Sequence, residues 1–125
     1  MTEYSISIIE NLKLHRNQSS RSVIEKVRSY INENISRDIS LQSMSQMIFM
    51  NPTYLSELFK KETGENFIEY VTKCRLNMAK SLLLNTTLKM EEISSRIGYD
   101  KLEYFYRVFK KYEGVTPKEF RKLKS

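Results

Sequence analysis

Residues 54–64 read YLSELFKKETG and residues 104–114 read YFYRVFKKYEG, so five of the eleven positions carry the same residue at an offset of 50. The residues before each stretch also correspond, at an offset of 49, and the second copy has one extra residue in its turn. These upstream positions are Leu41, Met44, Ser45 and Ile48 in the first copy, and Met90, Ile93, Ser94 and Ile97 in the second. The duplication predicts two copies of one unit, each a short helix, a tight turn and a second helix.

Glycine, proline and capping side chains mark the predicted helix ends. Gly64, Gly98 and Gly114 each follow a helical run, where a left-handed residue is favoured. Pro52 and Pro117 each stand at a first helical position. Capping boxes are predicted at Ser22–Glu25, Asn66–Glu69 and Thr116–Glu119. Because no segment sustains an alternation of β-branched and polar residues, the predicted fold is all-α.

Seven helices are predicted, over about residues 21–34, 41–48, 52–62, 67–84, 89–97, 102–112 and 117–123. The long helix carries a predicted apolar stripe at Phe67, Val71, Cys74, Met78 and Leu82. These helices predict two helix-turn-helix units, at about residues 41–62 and 89–112, joined by a linker helix at about 67–84. Residues 1–20 are interpreted as a linker or N-terminal extension.

Composition limits the class of protein. Hydrophobic residues make up 40% and charged residues 29% of 125 residues, as in an ordinary folded domain. The net charge is +6; from Lys89 onward ten basic residues face six acidic ones, and this local surplus suits a polyanionic partner. One cysteine, one histidine and the lack of any catalytic motif predict no metal, no cofactor and no enzymatic activity. Without an apolar run of membrane length or a secretion signal, the chain is expected in the cytoplasm, with no membrane partner.

The second helix of a helix-turn-helix unit enters the DNA major groove, so one side must be buried and the other must face bases. The inward residues are expected to be Leu55, Leu58, Phe59, Phe105, Val108 and Phe109. The base-facing residues are predicted as Thr53, Ser56, Glu57, Glu103, Tyr106 and Arg107. Phosphate contacts are predicted from the lysines Lys60, Lys61, Lys110 and Lys111, and from free backbone N–H groups at the helix N-termini, Asn51 and Lys101.

The sequence resembles the DNA-binding domain of AraC/XylS-type bacterial transcription regulators over about residues 21–123. The motif that carries this resemblance best reads Gly98-Tyr99-Asp100-x-x-x-Tyr104-Phe105-x-Arg107-x-Phe109-Lys110-Lys111-x-x-Gly114-x-Thr116-Pro117-x-x-x-Arg121. Residues 54–64 and the pattern Arg75-Leu76-x-x-Ala79 also agree. The resemblance implies a homeodomain-like fold of two helix-turn-helix subdomains joined by a long helix. It also implies that both recognition helices reach the DNA from one face, ~34 Å apart.

Four positions depart from the family pattern or extend it. Glu57 stands where the family often has arginine, and a carboxylate there accepts a hydrogen bond from cytosine N4 or repels phosphate. Tyr106 replaces a usual serine, and Lys101 replaces a usual capping residue, so Asp100 is expected to cap the helix instead. Leu102 is placed to touch a thymine methyl group.

The function predicted is a sequence-specific double-stranded DNA-binding domain of a transcription regulator. The resemblance further implies RNA polymerase and an upstream effector or receiver domain as partners, although a small standalone regulator is the other possibility. Cys74 is interpreted as core packing, and Arg75 as a link between subdomains. The rival interpretation is a helical protein-interaction adaptor, favoured by Glu57 and Glu103 on the recognition faces.

Overall fold

A computed structural model describes residues 19–124, which form helices and short connections only. The helices are α1 (Ser20–Glu33), α2 (Leu41–Met47), α3 (Pro52–Thr63), α4 (Phe67–Asn85), α5 (Met90–Arg96), α6 (Leu102–Glu113) and α7 (Pro117–Lys124). Each end lies within one residue of its predicted position. The all-α prediction is confirmed.

The described chain forms two compact units, and the division falls inside α4. The first unit holds residues 19–33 and 39–70, and the second holds residues 34–38 and 71–124. The short segment that follows α1 therefore belongs to the second unit, although α1 itself belongs to the first.

The first unit is built around α3. Helices α1 and α2 both pack against it. Phe59 of α3 is completely buried, and its ring meets the rings of Phe67 and Tyr70 edge-on, with centroids 5.4 Å and 5.2 Å away. The side chains buried beside it are Val23, Ile24, Val27, Ile31, Met44, Leu55 and Leu58. Full burial of one such side chain contributes about 1.5–3 kcal/mol, so α3 is held firmly on its apolar side.

The second unit repeats this plan around α6. Phe105 and Phe109 are completely buried, and Phe109 meets Phe120 of α7 edge-on at 5.5 Å. The core around them contains Leu76, Ala79, Leu83, Met90, Ile93, Ile97 and Tyr99. Val108, expected to face inward, is partly buried at the edge of this core.

Of the three predicted capping boxes, one is complete and a second shows its N-cap hydrogen bond. The Thr116 and Glu119 side chains each accept the other's backbone N–H, at 3.1 Å and 2.9 Å, and the Thr116 amide lowers the pKa of Glu119. The Asn66 side chain accepts the Glu69 N–H at 2.8 Å. The Ser22 box was wrong: Ser22 lies inside α1, and its N–H donates to the Ser19 side chain at 3.1 Å. An unpredicted box joins Ser40 and Ser43 at the start of α2.

The apolar stripe predicted along α4 was only partly right. Phe67 and Val71 are buried, whereas Cys74 and Leu82 are half-buried and Met78 is exposed. Further along the helix the buried positions are Leu76, Ala79 and Leu83. Helix α4 lies in both units, with its first turn in the first and the rest in the second, so a single stripe along its whole length does not describe its buried positions.

Both helix-turn-helix turns contain a left-handed residue at the same repeat position. Gly98 has a φ of 94°, and its counterpart Phe49 has a φ of 56°, a conformation that is costly for a bulky residue. Gly98 is also confined by its surroundings. A Cβ atom there would lie 2.8 Å from the Ile35 carbonyl oxygen and 3.1 Å from the Arg75 guanidinium carbon.

We expect Gly98→Ala to lower the free energy of unfolding by about 3 kcal/mol, since a left-handed alanine costs roughly 1–2 kcal/mol before any steric overlap. Gly114→Ala is the matched control, because Gly114 has a φ of 83° and open space where a Cβ would lie. Thermal denaturation of both variants measures the difference. Equal losses would contradict a steric role for the Ile35 carbonyl.

Arg121 of α7 closes the C-terminal end of α4 within the second unit. Its Nε, Nη2 and Nη1 atoms donate to the carbonyl oxygens of Leu83, Thr86 and Leu88 at 2.9, 3.1 and 2.9 Å. Carbonyl groups at and just after a helix end lack intrahelical donors. One guanidinium here donates a hydrogen bond to three such carbonyls. Arg121 thus fixes α7 to the connection between α4 and α5.

Replacing Arg121 by Gln is expected to destabilise the chain by about 3 kcal/mol, because hydrogen bonds to charged groups contribute about 1.5–3 kcal/mol each and some carbonyls lose their donor. Lys118→Gln removes the same charge from an exposed site of α7 and should change stability by less than about 0.5 kcal/mol. Urea denaturation compares the two. Similar losses would show that net charge, and not these hydrogen bonds, explains the effect.

Candidate nucleic-acid interface

The exposed side of α3 carries the residues predicted for DNA contact. Thr53, Glu57, Lys60 and Lys61 are exposed, and Ser56 is half-buried. The opposite side holds the buried residues Leu55, Leu58 and Phe59, as predicted. Glu57 has no ion-pair partner among residues 19–124, so its carboxylate is available to a ligand.

Helix α6 presents a comparable side in the second unit. Glu103, Arg107, Lys110 and Lys111 are exposed on it, while Leu102 and Tyr106 are half-buried. Leu102 and Tyr106 pack against the edge of the core, so only part of each side chain can face a ligand. Burial raises the pKa of Tyr106, and nearby Glu91 adds to this rise, so its hydroxyl remains a protonated donor at neutral pH.

The two helix N-termini differ in how their amides are satisfied. The exposed Asn51 side chain accepts the Thr53 and Tyr54 N–H groups at 2.8 Å and 3.2 Å, so the amides expected to be free at α3 are partly occupied. At α6 the N-terminal capping position is Lys101, which is exposed and forms no side-chain cap. The expectation that Asp100 caps α6 was wrong, because Asp100 lies one residue before the capping position.

Arg107 rests on an aromatic support that the sequence analysis missed. Its guanidinium carbon lies 5.6 Å from the centre of the Tyr104 ring, one helical turn earlier. Tyr104 in turn meets the buried Tyr99 edge-on at 5.3 Å. A cation over an aromatic face is attracted by the ring quadrupole, so this stack restricts an otherwise flexible arginine. The spacing of three between Tyr104 and Arg107 was the available signal.

Arg75 acts within the second unit. Its Nη2 donates to the Arg37 carbonyl at 2.9 Å, and its guanidinium carbon lies 5.3 Å from the centre of the Tyr99 ring. It therefore holds the segment 34–38 beside the second helix-turn-helix turn, and both of its partners belong to its own unit. Cys74 is half-buried.

The two units differ strongly in charge. The first unit contains five Lys and Arg residues and six Asp and Glu residues, which gives a net charge of −1. The second unit contains fourteen basic and seven acidic residues, which gives a net charge of +7. The basic surplus of the chain thus lies entirely in the second unit.

Within residues 19–124, no three His, Cys, Asp or Glu side chains lie close enough together to hold a metal ion. No helix in this part of the chain has the length and apolar character needed to span a bilayer.

In each unit a short helix, a tight turn and a second helix with a buried and a polar side define a helix-turn-helix DNA-binding domain. Residues 44–123 match the family model described as a helix-turn-helix domain. With its regulator relatives, described next, this match shows that the chain belongs to the AraC/XylS family of DNA-binding transcription regulators.

Among its relatives is the transcriptional regulatory protein YesN of Bacillus subtilis, 44% identical over 105 residues, which are 81% of this chain and 28% of YesN. The xylose operon regulatory protein of Escherichia coli K12 is 35% identical over 111 residues, 89% of this chain and 28% of that protein. The chain thus spans little more than a quarter of these relatives. The C-terminal domain of AraT, a response regulator from Geobacillus stearothermophilus, superimposes with a TM-score of 0.79 at 39% identity, covering 81% of this chain and 84% of that one.

Proposed function

We propose that α3 and α6 are the recognition helices of a sequence-specific regulator and enter successive major grooves of double-stranded DNA. The observation that supports this most directly is the exposed polar side on the second helix of both units, ending in a lysine pair in each. A helix with this division of its surface fits a major groove, and terminal lysines lie where phosphates line the groove.

In the second unit, Arg107 is proposed to donate to guanine O6 and N7, the commonest specific contact in the major groove. Its guanidinium rests on the Tyr104 ring on the exposed side of α6. Glu103 and Tyr106 would contact neighbouring base edges, and the half-buried Leu102 would touch a thymine methyl group.

In the first unit, Glu57 is proposed to accept a hydrogen bond from cytosine N4, with Thr53 and Ser56 as neighbouring contacts. Phosphate contacts are assigned to the exposed residues Lys60, Lys61, Lys101, Lys110, Lys111 and Asn51. For Asn51 this leaves the amide NH₂ as the donor, because its oxygen caps α3.

The complete protein is proposed to join this domain to a further domain that receives a signal. The relatives are several times longer than the matched region, and AraT is a response regulator, which favours a receiver domain. RNA polymerase at the promoter is the proposed second protein partner, and the bacterial cytoplasm the proposed location, because the chromosome lies there.

A helical adaptor without DNA binding is the alternative, favoured by the exposed Glu57 and Glu103 on the recognition helices. Fluorescence titration with a labelled duplex of scrambled sequence at low salt separates the two functions. DNA binding predicts an affinity that falls steeply with salt, because bound lysines release counterions. An adaptor predicts no salt-sensitive binding.

Arg107→Ala is expected to weaken binding to the best duplex by about 1–3 kcal/mol and to relax the preference at one base pair. Selection from random DNA followed by sequencing, with a gel shift for affinity, measures both effects. Arg21→Ala, an exposed arginine of α1, removes the same charge away from the recognition helices and should preserve the selected sequence. An unchanged site preference in Arg107→Ala would remove Arg107 from the base contacts.

Tyr104→Leu should weaken binding to that same duplex by about 0.5–1 kcal/mol, since it removes the ring on which Arg107 rests. Tyr104→Phe retains the ring and loses only the hydroxyl, so its affinity should stay close to that of the original chain. If Phe and Leu weaken binding equally, the hydroxyl contacts DNA and the ring does not position Arg107.

A further inference from the structure

The two recognition helices share a lysine pair but differ at one equivalent position in the middle of the polar side. Lys60 and Lys61 of α3 correspond to Lys110 and Lys111 of α6, and all four are exposed. Three residues before each pair, α3 carries the exposed Glu57 whereas α6 carries the exposed Arg107. The lysine pairs proposed to bind phosphates are therefore matched between α3 and α6, whereas the charge in the middle of the polar side is negative in α3 and positive in α6.

The surroundings enlarge this difference. The first unit has a net charge of −1 and the second a net charge of +7. Because the Debye length is about 8 Å at physiological ionic strength, a bound duplex responds mainly to the charges of the unit that touches it. Attraction to the phosphate backbone, which operates at any sequence, is consequently concentrated in the second unit.

A carboxylate in the major groove has only acceptor atoms. Where cytosine presents its N4 amino group, Glu57 gains a charge-assisted hydrogen bond. Where the groove presents acceptors, Glu57 is desolvated and repelled without compensation. The first unit has no net positive charge to offset this penalty. It is thus the part of the chain whose binding to DNA depends on the base sequence.

We propose that the chain binds DNA of arbitrary sequence through its second unit alone, and that the first unit docks only where Glu57 meets a suitable base pair. This rests on the proposed function, since it assigns the two units different tasks in DNA binding. Glu57 then acts as a gate: the Lys60–Lys61 pair contacts phosphates in the specific complex and stays in solvent in the non-specific one.

The salt dependence of affinity tests this directly. Log affinity falls linearly with log salt, and each lost lysine–phosphate contact reduces the magnitude of that slope by about one. All slopes are given as magnitudes. Two double variants are compared, Lys60→Gln with Lys61→Gln, and Lys110→Gln with Lys111→Gln, in the full chain. On a scrambled duplex, the α6 double variant should lower the slope by about two and the α3 double variant should leave it unchanged. On the duplex selected from random DNA, each should lower it by about two.

Removing the gate should produce the opposite change. With Glu57→Gln, the slope on the scrambled duplex should increase by about two as Lys60 and Lys61 join the complex. The ratio of specific to non-specific affinity should fall roughly tenfold. Glu62→Gln removes an equal charge from an exposed position of α3 about 140° around the helix axis from Glu57, and should leave the slope and the ratio close to their original values.

The outcomes separate this inference from the function on which it rests. If the unmodified chain shows no salt-dependent affinity for either duplex, the DNA-binding proposal and the gate fail together. If it binds both but the α3 double variant lowers the slope on scrambled DNA as much as the α6 double variant, the gate alone is overturned. If Glu57→Gln and Glu62→Gln have equal effects, Glu57 acts only through general charge repulsion from DNA, and the gate is again overturned.

Discussion

The burial of one phenylalanine beneath each recognition helix fixes everything that the helix presents to solvent. Phe59 and Phe109 occupy equivalent repeat positions, are completely buried, and each meets a following aromatic ring edge-on, Phe67 at 5.4 Å and Phe120 at 5.5 Å. A residue two positions earlier lies about 200° around the helix axis. Glu57 and Arg107 must therefore be exposed once these phenylalanines are buried, whatever their own side chains favour.

The same constraint explains which parts of the duplication have diverged. Positions that set the backbone have stayed alike: the buried Ser45 and Ser94 and the left-handed Gly64 and Gly114. Even Phe49 adopts the left-handed conformation that Gly98 adopts in the other turn. On the exposed side no packing restricts the residue, so a carboxylate and a guanidinium can replace one another without disturbing the core.

The sequence was sufficient for the fold because its determinants are local. Caps, glycines and the helical period act within a few residues, and they placed every helix end within one position of the structure. Side chains that bridge distant residues carry no comparable signal. Arg121 donates to Leu83, 38 residues away, and the segment 34–38 joins the second unit through Arg75. At the candidate interface the exposed residues were predictable from periodicity, and the spacing of three between Tyr104 and Arg107 was visible in the sequence. The position of the Arg107 guanidinium over the Tyr104 ring and the lack of a side-chain cap at Lys101 are seen only in the structure.

The unequal charges of the two units have a consequence for a regulator that must find one site on a chromosome. Each additional phosphate contact strengthens binding everywhere, and a genome offers about 10⁶–10⁹ competing sites. A chain in which both units carried a charge near +7 would be held by those competitors with twice the contacts. When only one unit is attracted to any sequence, the second set of contacts forms where bases permit it, so affinity gained there adds to specificity. The net charge of −1 in the first unit is thus consistent with a DNA-binding role and is not an argument against one.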